Sequence, residues 1–135
     1  MNTIENAKRQ IDELLRAACQ KARVAGKLPG SEPVCGSVEI PRESAHGDYA
    51  ATHAMVAARE LKLPPRKIAE ALAEQLDICG SYFKSFSIAG PGFINFVLSE
   101  KWYGEVLQAV EAMGGGYGAS DIGEGRRVMV EFVSA

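Results

Sequence analysis

Cysteine is scarce. The 135 residues hold three, Cys19, Cys35 and Cys79, far apart in the chain. An odd number with no paired spacing matches neither a zinc site nor a disulfide framework, which argues for a reducing cytosol and a cytoplasmic protein with inert thiols. Positive charge is also short: 15 Lys and Arg stand against 17 Asp and Glu, for a net charge of -2. This excludes a generically basic nucleic-acid coat, so a phosphate-bearing partner must meet a local patch. No apolar run is long enough to span a bilayer and no leader pattern is present, so no membrane role is implied. Only two histidines occur, His46 and His53. Neither has a nucleophile at a recognisable spacing, so both read as surface or packing residues, not catalytic ones. Gly114 to Gly118 is glycine-rich but lacks the preceding strand and the following Lys-Ser/Thr pair of a phosphate loop, and it reads as a linker.

What is present suffices for one folded domain. The chain is 47% hydrophobic and 24% charged, enough to bury a core. Residues 3–25 carry Ile4, Ala7, Ile11, Leu14, Leu15, Ala18, Cys19 and Ala22 at steps of three and four, which predicts an amphipathic helix. Thr3 is placed to cap it and Gly26 to end it. Its polar face bears Lys8, Arg9, Arg16, Lys21 and Arg23, a first candidate basic patch, with a plain solvated face as the bland alternative. Val38-Glu39-Ile40 predicts a short strand stopped by Pro41. Asp48 is placed to cap an alanine-rich helix reaching Leu61, and Pro65 to open another reaching about Leu76. Arg59, Lys62, Arg66 and Lys67 gather at the break between them, a second basic patch. Ser99 is expected to cap a last helix, through Met113, whose Trp102 packs into the core.

Between these lies the most informative stretch. Gly90-Pro91-Gly92 separates a strand over Phe83–Ile88 from a second over Gly92–Leu98. A side-chain period of two sends Ile94, Phe96 and Leu98 to the core face, and Phe93, Asn95 and Val97 to the other. An aromatic ring beside a carboxamide on an outer face suits an unstacked base. Keeping Phe86 and Ile88 on the core face with this set demands a loop of odd length or a bulge at the turn. Ser85 and Ser87 then flank Asn95. The expected fold class is α+β: a two-layer sandwich with a small, mostly antiparallel sheet covered on one face by helices and open on the other.

Four strings in this order, Gly47-Asp48-Tyr49-Ala50, Ala89-Gly90-Pro91-Gly92-Phe93-Ile94-Asn95-Phe96, Gly116-Tyr117-Gly118 and Val130-Glu131-Phe132-Val133-Ser134-Ala135, resemble bacterial arginyl-tRNA synthetases. The resemblance covers nearly the whole chain, and the second and fourth strings together are highly specific. It implies an N-terminal additional domain over 1–113, a linker over 114–126 and, in 127–135, the first strand of a catalytic domain cut just after its start. It further implies that the parent is an arginine–tRNA ligase using ATP with Mg, and that the fragment holds no cofactor or metal and is inactive alone, since the family's ATP motifs are absent. The domain would meet the D-loop of tRNA(Arg), Phe93 stacking on a base and Asn95 bonding its edge. Glu131 would help bind substrate arginine, its carboxylate paired with a guanidinium. A monomer is expected. One departure is visible, since that family commonly has Asn where Thr52 stands, which puts a local capping or packing contact in doubt. The alternative is a bracing domain with no base contact, in which Phe93 is covered by protein.

Overall fold

The computed structural model describes residues 2–133. Helix α1 spans Thr3–Val24, and its apolar stripe of Ala7, Ile11, Leu15, Ala18, Cys19 and Ala22 is buried. Its cap is Asn2, one residue before the expected Thr3: the Asn2 side chain accepts from the amides of Ile4 and Glu5. At the other end Gly26 adopts φ +75. There its N–H bonds Arg23 O and that of Lys27 bonds Ala22 O at 2.8 Å. This paired closure needs a left-handed residue that glycine supplies without strain.

Four antiparallel strands form one sheet: β1 Val38–Glu39, β2 Tyr49–Ala51, β3 Phe83–Ala89 and β4 Phe93–Leu98, in the order β1-β2-β4-β3. Three of these were expected. The fourth, β2, corrects the sequence reading, which assigned Ala50 to the start of a helix. Alanine favours helix by only a few tenths of a kcal/mol over most residues, and pairing on both edges outweighs it. Tyr49–Ala51 lies opposite Phe96, Asn95 and Ile94 of β4, with Val38 and Glu39 on its other side. Helix α2 therefore begins later, at His53–Leu61, followed by α3 Pro65–Gln75 and α4 Glu100–Met113.

Asp48 changes role with this correction. Its carboxylate accepts the N–H of Leu98 at 2.9 Å, while its own N–H donates to Phe96 O at 2.9 Å. It clamps the entry of β2 onto the end of β4 instead of capping a helix. Asp48→Ala is expected to cost about 1.5–3 kcal/mol, the range for a charge-assisted bond, read as a lower urea midpoint with unchanged slope. The nominal cap of α2 is Thr52, whose hydroxyl accepts from Ser37 N at 2.9 Å and donates to Ser37 O at 3.2 Å. Thr52 thus stitches the chain before β1 to the end of β2. Ser99 stands at the N-cap of α4 without making a side-chain cap bond.

Register decides which face each residue serves. The odd loop is found: β3 and β4 are joined by residues 90–92, with Ala89 opposite Phe93 and Ile88 opposite Ile94. A shift between Phe83 and Ser85 leaves Lys84 as the extra residue. That bulge turns Phe83 inward along with Phe86, despite their spacing of three. The inner face then carries Val38, Tyr49, Ala51, Phe83, Phe86, Ile88, Ile94, Phe96 and Leu98 against the buried stripes of α1, α2 and α3. Phe96 lies at the centre, its ring 5.3 Å from that of Phe83 and 6.3 Å from that of Phe86.

Helix α4 is tied to the body by Trp102, whose indole N–H donates to Thr3 O at 3.1 Å, and by Tyr82, whose hydroxyl bonds Glu105. Trp102 packs against the core, as expected. The Tyr82 hydroxyl is held protonated to higher pH, chiefly because it donates to that carboxylate. No residue of α4 is buried, and Tyr103, Leu107, Val110 and Met113 are exposed. After a single turn at Gly114–Gly116, residues 127–133 pair with no strand, and Val128, Val130, Phe132 and Val133 are exposed. Ser134 and Ala135, the end of the expected strand, lie outside the described residues.

Candidate nucleic-acid interface

On the outer face, Glu39, Ala50, Asn95 and Ser87 form one cross-strand row. The smallest side chain, Ala50, lies between Glu39 and Asn95, and a recess of about 350 Å³ opens there. Phe93, Ala89, Gly90 and Pro91 wall it on the turn side; Pro41, Arg42 and His46, from the β1–β2 connection, wall it on the other. The outer face, expected to be open, carries this recess between the two connections.

Asn95 is the polar group at its floor. The residue is only 5% exposed, yet its carboxamide has no hydrogen-bond partner among the described residues. Its polar atoms are not sealed off: among the described residues the fully enclosed, unpaired side-chain atoms are His53 Nδ1 and Ser99 Oγ. A ligand that enters the recess must take over the hydrogen bonds of this amide, because covering it without a partner would cost about 1–3 kcal/mol. Phe93 is half-buried and lines the recess. At the rim, the exposed Arg42 side chain makes no ion pair or hydrogen bond among the described residues. His46 is exposed and has only a 4.0 Å approach to Glu43. Sequence reasoning identified Phe93 and Asn95 and missed Arg42, Glu39 and Ala50. Only strand pairing brings these together; the short β1 before Pro41 was their one signal.

The turn is braced from behind. Arg66 donates through Nη1 to Gly90 O at 3.0 Å. Gly92, at φ +145, is so close to α3 that an added Cβ would lie 3.0 Å from the backbone carbon of Pro65. Gly92→Ala is expected to destabilise the chain by about 1–3 kcal/mol through crowding and strain, seen as a lower thermal midpoint.

Other candidates fall away on geometry. A recess of about 480 Å³ beside α1 is lined by Arg16, Cys19 and Arg23. Its cations are already engaged: Arg16 pairs with Asp12 at 2.8 Å, and Arg23 bonds the carbonyls of Pro29 and Glu32. Lys8 and Arg9 likewise approach Glu5 and Glu13 at 3.9 and 3.8 Å, so the α1 patch is the bland, solvated face. Burial raises the Cys19 thiol's pKa, disfavouring the reactive thiolate. His53 is fully buried, its Nε2 2.9 Å from Asp12 Oδ1, and serves packing. No helix among the described residues is long and apolar enough to cross a membrane.

Residues 9–98 match the family model described as the arginyl tRNA synthetase N terminal domain. The chain belongs to this family. Its matched segment runs from α1 to the end of β4 and so contains the recess. Among similar proteins, the arginine–tRNA ligase of Acetivibrio thermocellus is 40% identical over 134 residues, 99% of this chain and 24% of its own length. That of Heliobacterium modesticaldum is 43% identical over 135 residues, again 24% of its length. The chain thus spans about a quarter of the length of these curated relatives. The crystal structure of a Plasmodium falciparum arginyl-tRNA synthetase superposes with a TM-score of 0.57 at 18% identity, over 76% of this chain and 18% of that one. At that identity the likeness speaks for the fold alone. The family domain assigned here carries two of the expected site residues on β4; Glu131, the third, lies in the exposed tail.

Proposed function

We propose that this domain reads tRNA(Arg) for an arginine–tRNA ligase by capturing one unstacked D-loop base in the outer-face recess. Phe93 stacks on the base, and Asn95 bonds its edge through both a donor and an acceptor. Arg42, unpaired at the rim, takes an adjoining phosphate. The observation that carries this reading is the Asn95 carboxamide, almost buried and without a partner at the floor of a base-sized recess. A stacking ring beside an amide that needs a partner is what an extruded base requires.

The parent protein would join arginine to ATP as an adenylate and pass it to the terminal ribose of the tRNA. The residues here do not fit an ATP site: the chain carries no phosphate loop and none of the family's ATP motifs. Glu131 would contribute to the arginine site only when its segment joins the rest of such a protein, which would also hold the ATP and Mg. Within that protein, a cytoplasmic monomer, this chain recognises and does not catalyse.

The test is binding of tRNA(Arg) to this chain, against the same tRNA with its D-loop base changed. Weaker binding of the changed tRNA is expected. Equal affinity would remove base recognition and leave bracing of the parent enzyme as the role.

A further inference from the structure

The recess accounts for one nucleotide, but a folded RNA arrives with a backbone on both sides of it. Beyond the turn over residues 90–92 lies the corner between α2 and α3, directly against it: Gly92 packs on Pro65, and Arg66 holds Gly90 O at 3.0 Å. This corner exposes Lys62 and Lys67 on either side of Pro64-Pro65. Neither side chain makes an ion pair or hydrogen bond among the described residues. The contrast with α1 is informative, because four of the five cations on that helix are engaged. Acidic groups near the corner do not cancel it. Glu70 faces Arg66 at 3.8 Å, and Glu60 lines a separate recess with Glu32 and Val34.

We infer that this corner is a second RNA contact, in which Lys62 and Lys67 take backbone phosphates of the strand leaving the recess across the turn. The inference rests on the base-recess reading, because continuity with the recess is what selects RNA over an acidic protein segment. The two sites divide the labour. Asn95 and Phe93 distinguish one base from another, whereas the corner binds any sequence. Arg66 is a positioning residue: by holding the turn through Gly90 O it couples the two.

The chain as it stands is titrated with tRNA(Arg) and its D-loop variant over a range of salt. Lys62 occupies the left-handed region at φ 54, so the charge is removed with Lys62→Asn, which tolerates that conformation, together with Lys67→Gln. The double variant is expected to weaken both tRNAs equally, by on the order of tenfold or more, and to flatten the salt dependence by about 0.7–0.9 per lost contact. Asn95→Ala is expected to remove the preference between the tRNAs while leaving the salt slope unchanged. If Asn95→Ala abolishes the preference but the lysine variant keeps full affinity and slope, the corner inference falls and the recess reading stands. If Asn95→Ala changes nothing while the lysine variant weakens binding, the recess reading fails and takes this inference's route with it. Failure of the unmodified chain to bind at low salt overturns both.

Discussion

Phe96→Ala is expected to remove about 3–5 kcal/mol of unfolding free energy, the usual cost of emptying a large aromatic site in a core. Phe96 is 0% exposed. It touches rings on β3, pairs with Tyr49 on β2, and its carbonyl accepts the Asp48 N–H that starts β2. No single helix can collapse into the space, because three strands meet there. Since domains of this size hold roughly 5–15 kcal/mol in all, the variant should unfold at much lower urea. Phe96→Leu keeps most of the volume and should cost clearly less. A loss under about 1 kcal/mol for the alanine variant, well below the cavity range, would show that the core is not centred on this ring.

The second large effect is on binding. Phe93→Ala should cost about 1–3 kcal/mol of tRNA affinity, the range for a lost base–aromatic stack, or roughly 5- to 150-fold. Asn95→Ala should lose discrimination at the recognised base. Its stability effect separates function from structure. A buried amide that supported the fold would destabilise on removal, but this one has no partner to lose. Asn95→Ala should therefore be neutral or slightly stabilising. A drop of more than about 1 kcal/mol, the net worth of an ordinary hydrogen bond, would instead make Asn95 a structural residue. These measurements belong on this chain and, for aminoacylation, on the ligase of which it would form part.

How legible this was depended on which period was at work. The stripe of α1 and the alternation of β4 are local patterns, repeated often enough to outweigh exceptions, and both stand where expected. The odd loop followed from parity alone, since Ile88 and Ile94 had to share a face. The errors arose where local preference and tertiary context disagree. Three residues, Tyr49–Ala51, are too short to show alternation, and their alanines favour helix, so only pairing to β1 and β4 makes them a strand. Asp48 looked like a cap because the helix was placed four residues too early; the residue that stands before α2 is Thr52. Asn2 and Thr3 are both good caps in sequence, and the backbone chose the former.

The site divides in the same way. Sequence by itself determined the family, through strings specific enough to stand without a structure, and the two residues of β4 that face outward. It also determined that any RNA contact would be local, because a chain with net charge -2 has no general attraction to phosphate. Tertiary structure alone decided that Asn95 is enclosed, that Ala50 leaves room beside it, and that Arg42 and His46 stand across from Phe93. It alone decided which basic patch is free, since ion pairs and carbonyl bonds engage four of the five α1 cations but leave the Lys62 and Lys67 side chains of the other patch. The physical reason is common to all of these. Side-chain direction is set by the backbone's own period, whereas enclosure and charge pairing depend on neighbours that are distant in the chain.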